Sequence, residues 1–267
     1  MKYLAFIALF SVTLAQAQKK ETRNVPDFTK VNFGFSGKCY ITQGKSFNVE
    51  LEGDAEVLAK VKTKVENGRL SIVSEDKWNW SWGKDDEIIA YVTLPEVEGL
   101  SVSGSGDLET RTAITSNELT LRVSGSGNMQ AKVNVAGDLE ADVSGSGDLD
   151  VTGTCKGFDS DVSGSGNVQS TVIINGNASF GVSGSGKVTA AGTAPEVKIS
   201  ISGSGKVLAS ELEATKATVR ISGSGDVEIG VKDDLDVTIS GSGSVRYRGN
   251  PEKVNSHAAG SGSVRKM

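Results

Sequence analysis

From Val102 onward the chain alternates apolar and polar residues with a period of two, and the same four residues interrupt the alternation at regular intervals. Ser-Gly-Ser-Gly begins at Ser103, Ser124, Ser144, Ser163, Ser183, Ser202, Ser222 and Ser240, and a worn copy begins at Ala259, so the spacing runs from 18 to 21 residues. Immediately before each copy stands Val102, Val123, Val143, Val162, Val182, Ile201, Ile221 or Ile239. Two positions earlier stand Leu121, Ala141, Ser160, Phe180, Ile199, Val219 and Val237. Beyond the four residues come Leu108, Met129, Leu149, Val168, Val188, Val207, Val227 and Val245, while the intervening positions, such as Arg122, Asp142, Asp161 and Thr238, are polar. Alternation with β-branched residues and glycine punctuation predicts short strands, each with one apolar face.

Such a strand is unstable alone. Stacked on its copy about 4.8 Å away, each backbone N–H and C=O finds a partner, and the apolar columns merge into one core. The pattern therefore predicts an all-β, right-handed parallel β-solenoid of roughly 20-residue coils, about 40 Å long at the inter-strand spacing. The structural turn is assigned to Gly104, Gly106, Gly125, Gly127, Gly145, Gly147, Gly164, Gly166, Gly184, Gly186, Gly203, Gly205, Gly223, Gly225, Gly241 and Gly243, which let the chain take a corner at positive φ. The corner serines are expected to form a structural hydroxyl ladder, with a linear hydroxyl array for a glycan or surface as the functional alternative.

Residues 18–100 lack the repeat but keep the alternation, at Val31 to Tyr40, Phe47 to Leu51, Leu70 to Val73 and Ile88 to Leu94. They are expected to form an N-terminal β-rich cap, with residues 101–267 as the solenoid, because an open solenoid end exposes unpaired backbone. Phe35 to Ile41 reads as a worn copy of the turn, and Asp54 to Lys62 as a short helix N-capped by Asp54. Arg265 and Lys266 can blunt the last edge with charge.

Composition narrows the setting. Met1-Lys2, an apolar run from Tyr3 to Leu14 and Ala15-Gln16-Ala17 make residues 1–17 a signal peptide, which places the protein in the periplasm, at the cell surface or outside the cell. No second apolar run of spanning length follows, so no transmembrane span is expected in the mature chain. The signal carries one lysine and no acid, so its removal takes the net charge from −5 to −6, which argues against nucleic acid and anionic membranes as partners. Export permits a disulfide between Cys39 and Cys155. The solenoid would separate the two along its axis, which favours two buried free thiols.

The order of segments carries a family resemblance. Phe28, Val31, Ile41 and Gly44 open an exported chain, Leu94-Pro95 follows, and repeated Val-Ser-Gly-Ser-Gly-Asp/Asn-Val completes it. This resembles the bacterial putative auto-transporter adhesin family, head GIN domain, over roughly residues 28–245. The resemblance implies an exported β-helical envelope protein and brings no catalytic residues with it.

Candidate chemistry is sparse. In an extended Trp78-Asn79-Trp80-Ser81-Trp82 the three indoles share one face, which makes Trp78, Trp80 and Trp82 the candidate ligand-binding residues, suited to a sugar ring or a partner surface. The plainer reading of that segment is a loop folded over the solenoid end. Asp142 and Asp161 stand one coil apart, a spacing compatible with a retaining glycosidase and equally with a solvated column of like charges. His257, the lone histidine, has no partners for a triad or a metal cluster, and Lys187, Lys206 and Ser244 stand where a calcium roll needs acids. No cofactor or metal and no catalysis are therefore expected. The expected function is a binding module, an adhesin contacting glycan or an envelope or host surface protein. The alternative is a periplasmic structural or envelope-sensing protein, with a polysaccharide-acting β-helix enzyme in third place.

Overall fold

The computed structural model describes residues 19–75 and 87–267. The N-terminal strands are β1 (Lys19–Thr22), β2 (Lys30–Gly34), β3 (Gly37–Gln43), β4 (Asn48–Gly53), β5 (Val61–Glu66), β6 (Arg69–Ser74), β7 (Ile88–Leu94), β8 (Gly99–Val102) and β9 (Asp107–Thr110). Then come β10 (Ile114–Ser116), β11 (Leu119–Val123), β12 (Asn128–Val135), β13 (Asp138–Gly145), β14 (Asp148–Cys155), β15 (Gly157–Gly164), β16 (Asn167–Ile174) and β17 (Asn177–Gly184). The C-terminal strands are β18 (Lys187–Gly203), β19 (Lys206–Gly223), β20 (Asp226–Gly241), β21 (Ser244–Arg248), β22 (Lys253–Gly260) and β23 (Ser263–Lys266). They wind into a β-solenoid of about eight turns.

Two parallel ladders meet at the Ser-Gly-Ser-Gly corner. The ladder entering the corner runs β8, β11, β13, β15, β17 and on through the second halves of β18, β19 and β20 to β22. The ladder leaving it runs β9, β12, β14, β16 and the first halves of β18, β19 and β20 to β21 and β23. Around the corner the repeats stack in register, Val143 on Val162 and Val162 on Val182, so inward side chains land on their counterparts and the expected columns merge into one buried core. Phe158 and Phe180 meet edge to face inside it at 5.7 Å between ring centroids. The buried Ser160 hydroxyl donates to the Ala141 carbonyl at 2.9 Å, and the buried Thr110 hydroxyl accepts from Lys132 N–H, so neither polar group is stranded.

The corner is held by backbone bonds between coils. Ser146 and Gly147 N–H both donate to Gly125 O at 3.0 Å, and Ser165 and Gly166 N–H donate to Gly145 O at 2.9 Å. The two glycines of a corner are required for different reasons. From Gly145 onward the first one sits at positive φ, +132° at Gly164 for instance. The second is required by crowding, because a Cβ on Gly147 would stand 2.2 Å from Gly127 O of the coil below. The corner serines are exposed, and among the described residues their side chains make no hydrogen bonds to one another. The expected hydroxyl ladder is absent because stacked carbonyls already hold the turn.

At the N-terminus the parallel ladder continues past the repeats. β2 pairs in parallel with β8 on one side and with β6 on the other, and β3 likewise with β9 and β7. The worn turn at Phe35–Gly37 lies in the corner column, with Gly37 at φ +107°. Strands β1, β4 and β5 add antiparallel pairs around this end. The helix α1 is one turn, Ala55–Leu58. The Asp54 side chain accepts from Glu56 N–H, and Val57 and Leu58 are buried. Val61, expected on the helix, opens β5 instead. Cys39 and Cys155 are both free and buried.

Candidate functional site

Period-two alternation puts every second side chain of the departing ladder outward, and parallel register stacks those side chains in columns. The column nearest the corner runs Lys38, Asp107, Asn128, Asp148, Asn167, Lys187. Two residues further along each strand runs a second column, Tyr40, Glu109, Gln130, Asp150, Gln169, Thr189. Together they line a groove of about 640 Å³ whose floor is the strand backbone above buried Leu108, Met129, Leu149 and Val168.

The two columns differ in how their polar groups are satisfied. In the first, Asn128 Nδ2 donates to Asp107 Oδ1 at 2.8 Å and Asn167 Nδ2 to Asp148 Oδ1 at 2.7 Å. An amide between carboxylates relieves the repulsion that stacked acids would suffer. In the second, Glu109 pairs with Arg111 at 3.1 Å, and the Arg111 guanidinium lies 3.7 Å from the Tyr40 ring centre. Gln130, Asp150 and Gln169 have no side-chain partner among the described residues. Burial alone pushes the Asp150 carboxyl above its ordinary range, and no cation opposes it.

The ladder entering the corner carries an acidic patch. Arg122 binds Glu140 at 2.7 Å and Asp142 at 3.2 Å, and Thr120 donates to Glu140 at 3.1 Å. Burial and then the Glu140 carboxylate push Asp142 up to about 6 against the pull of Arg122. Burial also raises Asp159, helped by Asp161 and Glu140. Among the described residues no group of three or more His, Cys, Asp or Glu side chains could hold a metal ion. His257 is exposed on β22. Trp78, Trp80 and Trp82 lie outside the described residues. The sixteen turn glycines stack at the corner, where Gly145, Gly164, Gly184, Gly203, Gly223 and Gly241 close strands of the entering ladder. In the first groove column Asp107, Asn128, Asp148 and Asn167 are residue types that suit a turn and are legible as such in the sequence, whereas the second column is not marked that way. Its signal was the pair of polar residues two apart after each corner: Asp107/Glu109, Asn128/Gln130, Asp148/Asp150 and Asn167/Gln169.

Stacked parallel coils with filled interiors and columns of outward polar side chains place the protein in the class of parallel β-solenoids. The chain belongs to the family described as "Putative auto-transporter adhesin, head GIN domain", whose model matches residues 27–190 and again 176–251. Solved structures share the fold. One is a putative lipid binding protein from Parabacteroides distasonis, 22% identical, with a TM-score of 0.70 over 95% of this chain and 98% of that one. Another is a putative adhesin from Parabacteroides merdae, 20% identical, with a TM-score of 0.66 over 95% and 97%. A putative adhesin from Parabacteroides distasonis is 20% identical, with a TM-score of 0.66 over 95% and 98%. No curated protein matches the chain. Among the described residues no helix is long and apolar enough to cross a membrane.

Proposed function

We propose that the protein is an exported, non-catalytic binding module of adhesin type that contacts glycan or protein at the cell surface. The observation that carries this reading is the groove on the departing ladder. There a rigid, hydrogen-bonded scaffold holds Gln130, Asp150 and Gln169 in line with their hydrogen-bonding groups unused. A backbone already fixed in the sheet pays no further ordering cost on binding, which favours recognition by an array of modest contacts. The export pattern of residues 1–17 and the family's adhesin name point the same way. The absence of catalysis is supported by the acidic patch, where Asp142 is held by Arg122 rather than presented to a substrate. A lipid ligand, as in the name of the Parabacteroides distasonis relative, is disfavoured by a groove lined with amides and carboxylates.

Protease treatment of intact cells, with a periplasmic protein as control, tests the location. Cleavage while the control survives is the expected result. Protection until the outer membrane is opened would replace the surface module with a periplasmic structural or envelope-sensing protein.

A further inference from the structure

We propose that the groove binds an uncharged, extended polysaccharide lying parallel to the solenoid axis, its hydroxyls hydrogen-bonded by Gln130, Asp150 and Gln169. This rests on the binding-module reading and names its ligand.

The first column is a structural ladder, because its amides are spent on its own carboxylates. In the second column Gln130, Asp150 and Gln169 have no side-chain partner among the described residues, and their chemistry is that of sugar recognition. Each amide offers donors and an acceptor, and the carboxylate accepts from hydroxyls. Four carboxylates along the groove (Asp107, Glu109, Asp148 and Asp150), against a lysine at each end, disfavour a polyanion. A protein partner would look for an apolar centre, and the apolar side chains here point inward and are buried.

The repeat of the groove also fits a linear polymer. Coils alternate acid and amide in both columns, Asp107/Glu109, Asn128/Gln130, Asp148/Asp150, Asn167/Gln169, so the chemistry recurs every second coil. At about 4.8 Å per coil that period is about 10 Å, close to the two-sugar repeat of an extended β-linked glycan whose alternate rings face opposite ways. The groove spans five coil steps, on the order of 25 Å, enough for a short oligosaccharide.

The test is calorimetry on the full mature chain with cello- and chito-hexasaccharides, their disaccharides, and a galacturonate hexamer as the polyanion. A neutral hexasaccharide is expected to bind about tenfold or more tighter than its disaccharide and than the polyanion. Q130A/Q169A should weaken it by at least about tenfold with an unchanged melting temperature, and Arg220→Ala on the ladder entering the corner, outside the groove, should leave it unaltered. Failure of both neutral hexasaccharides to bind, unchanged affinity in Q130A/Q169A, or preference for galacturonate would each overturn the proposal. The binding-module reading fails separately. A chain that still coats cells but ignores the hexasaccharides sinks only the groove, and a protease-protected chain that binds them sinks only the surface location.

Discussion

The Asp161 carboxylate occupies the space that a side chain on Gly181 would take, with Oδ1 1.8 Å from where a Cβ would stand. The two residues are register partners on β15 and β17. The obstruction is the mobile end of an exposed side chain, so it can swing aside. At Gly153 a Cβ would meet the Val133 backbone carbonyl, also at 1.8 Å, and φ is +144°. Gly181→Ala is therefore expected to change stability by less than about 1 kcal/mol, whereas Gly153→Ala should cost about 1–3 kcal/mol or more. Urea denaturation of the two variants measures the contrast, and equal losses would contradict it.

Burial of the Asp142 carboxyl predicts a pH dependence. Asp142 titrates at about 6 in the folded protein, above its ordinary range. The folded state therefore holds this proton more tightly than the unfolded chain, so the Asp142 contribution to stability is greatest in acid and declines as the pH rises through about 4 to about 6. Part of the side chain meets solvent, so the swing is about 1 kcal/mol. Asp142→Asn should match the wild type near pH 4 and exceed it by about that amount near pH 7, relative to the same protein at each pH. A difference of the opposite sign would show that Arg122 outweighs burial.

Burial pushes the Cys39 thiol well above its ordinary range. It pushes Cys155 up to about 12, with Asp138 adding to the shift. Neither forms a thiolate near neutrality, and neither is accessible. Iodoacetamide at about pH 8 should leave both unmodified in the native protein and alkylate both in denaturant. Native labelling of either thiol would contradict its burial.

Core packing predicts a third kind of loss. Phe180 is 1% exposed and packs against Phe158, so Phe180→Ala should destabilise by about 3–5 kcal/mol. Glycan affinity should be untouched wherever the variant remains folded, since Phe180 points away from the groove. Thermal melting and calorimetry separate the two effects.

How much of this was legible in the sequence follows from the range of the interactions involved. The coil period, the corners and the inward columns were readable because each depends on residues close in sequence and recurs. The antiparallel pairs of β1, β4 and β5 were not, because their partners are fixed by non-local register. Lys19–Thr22 and Val61–Glu66 carry too few apolar residues to announce themselves as strands. In the groove, Asp107 and Asn128 were visible as residues that suit corners. Glu109 and Gln130 resembled any solvated strand face until register stacked them into a column.

The first coil to be synthesised is not the first in the stack. β2 and β3 lie between β6/β7 on one side and β8/β9 on the other, so their neighbours arrive only after a long intervening stretch of chain has been made. The N-terminal block is thus a keystone, with the high contact order that slows folding, whereas each later coil can be laid on an edge that already exists. Losses at the two ends of the described solenoid are therefore unequal. Removing the last coil takes away one course of the wall, while breaking the β2–β8 or β3–β9 seam parts the repeats from the coil on which the first of them is laid.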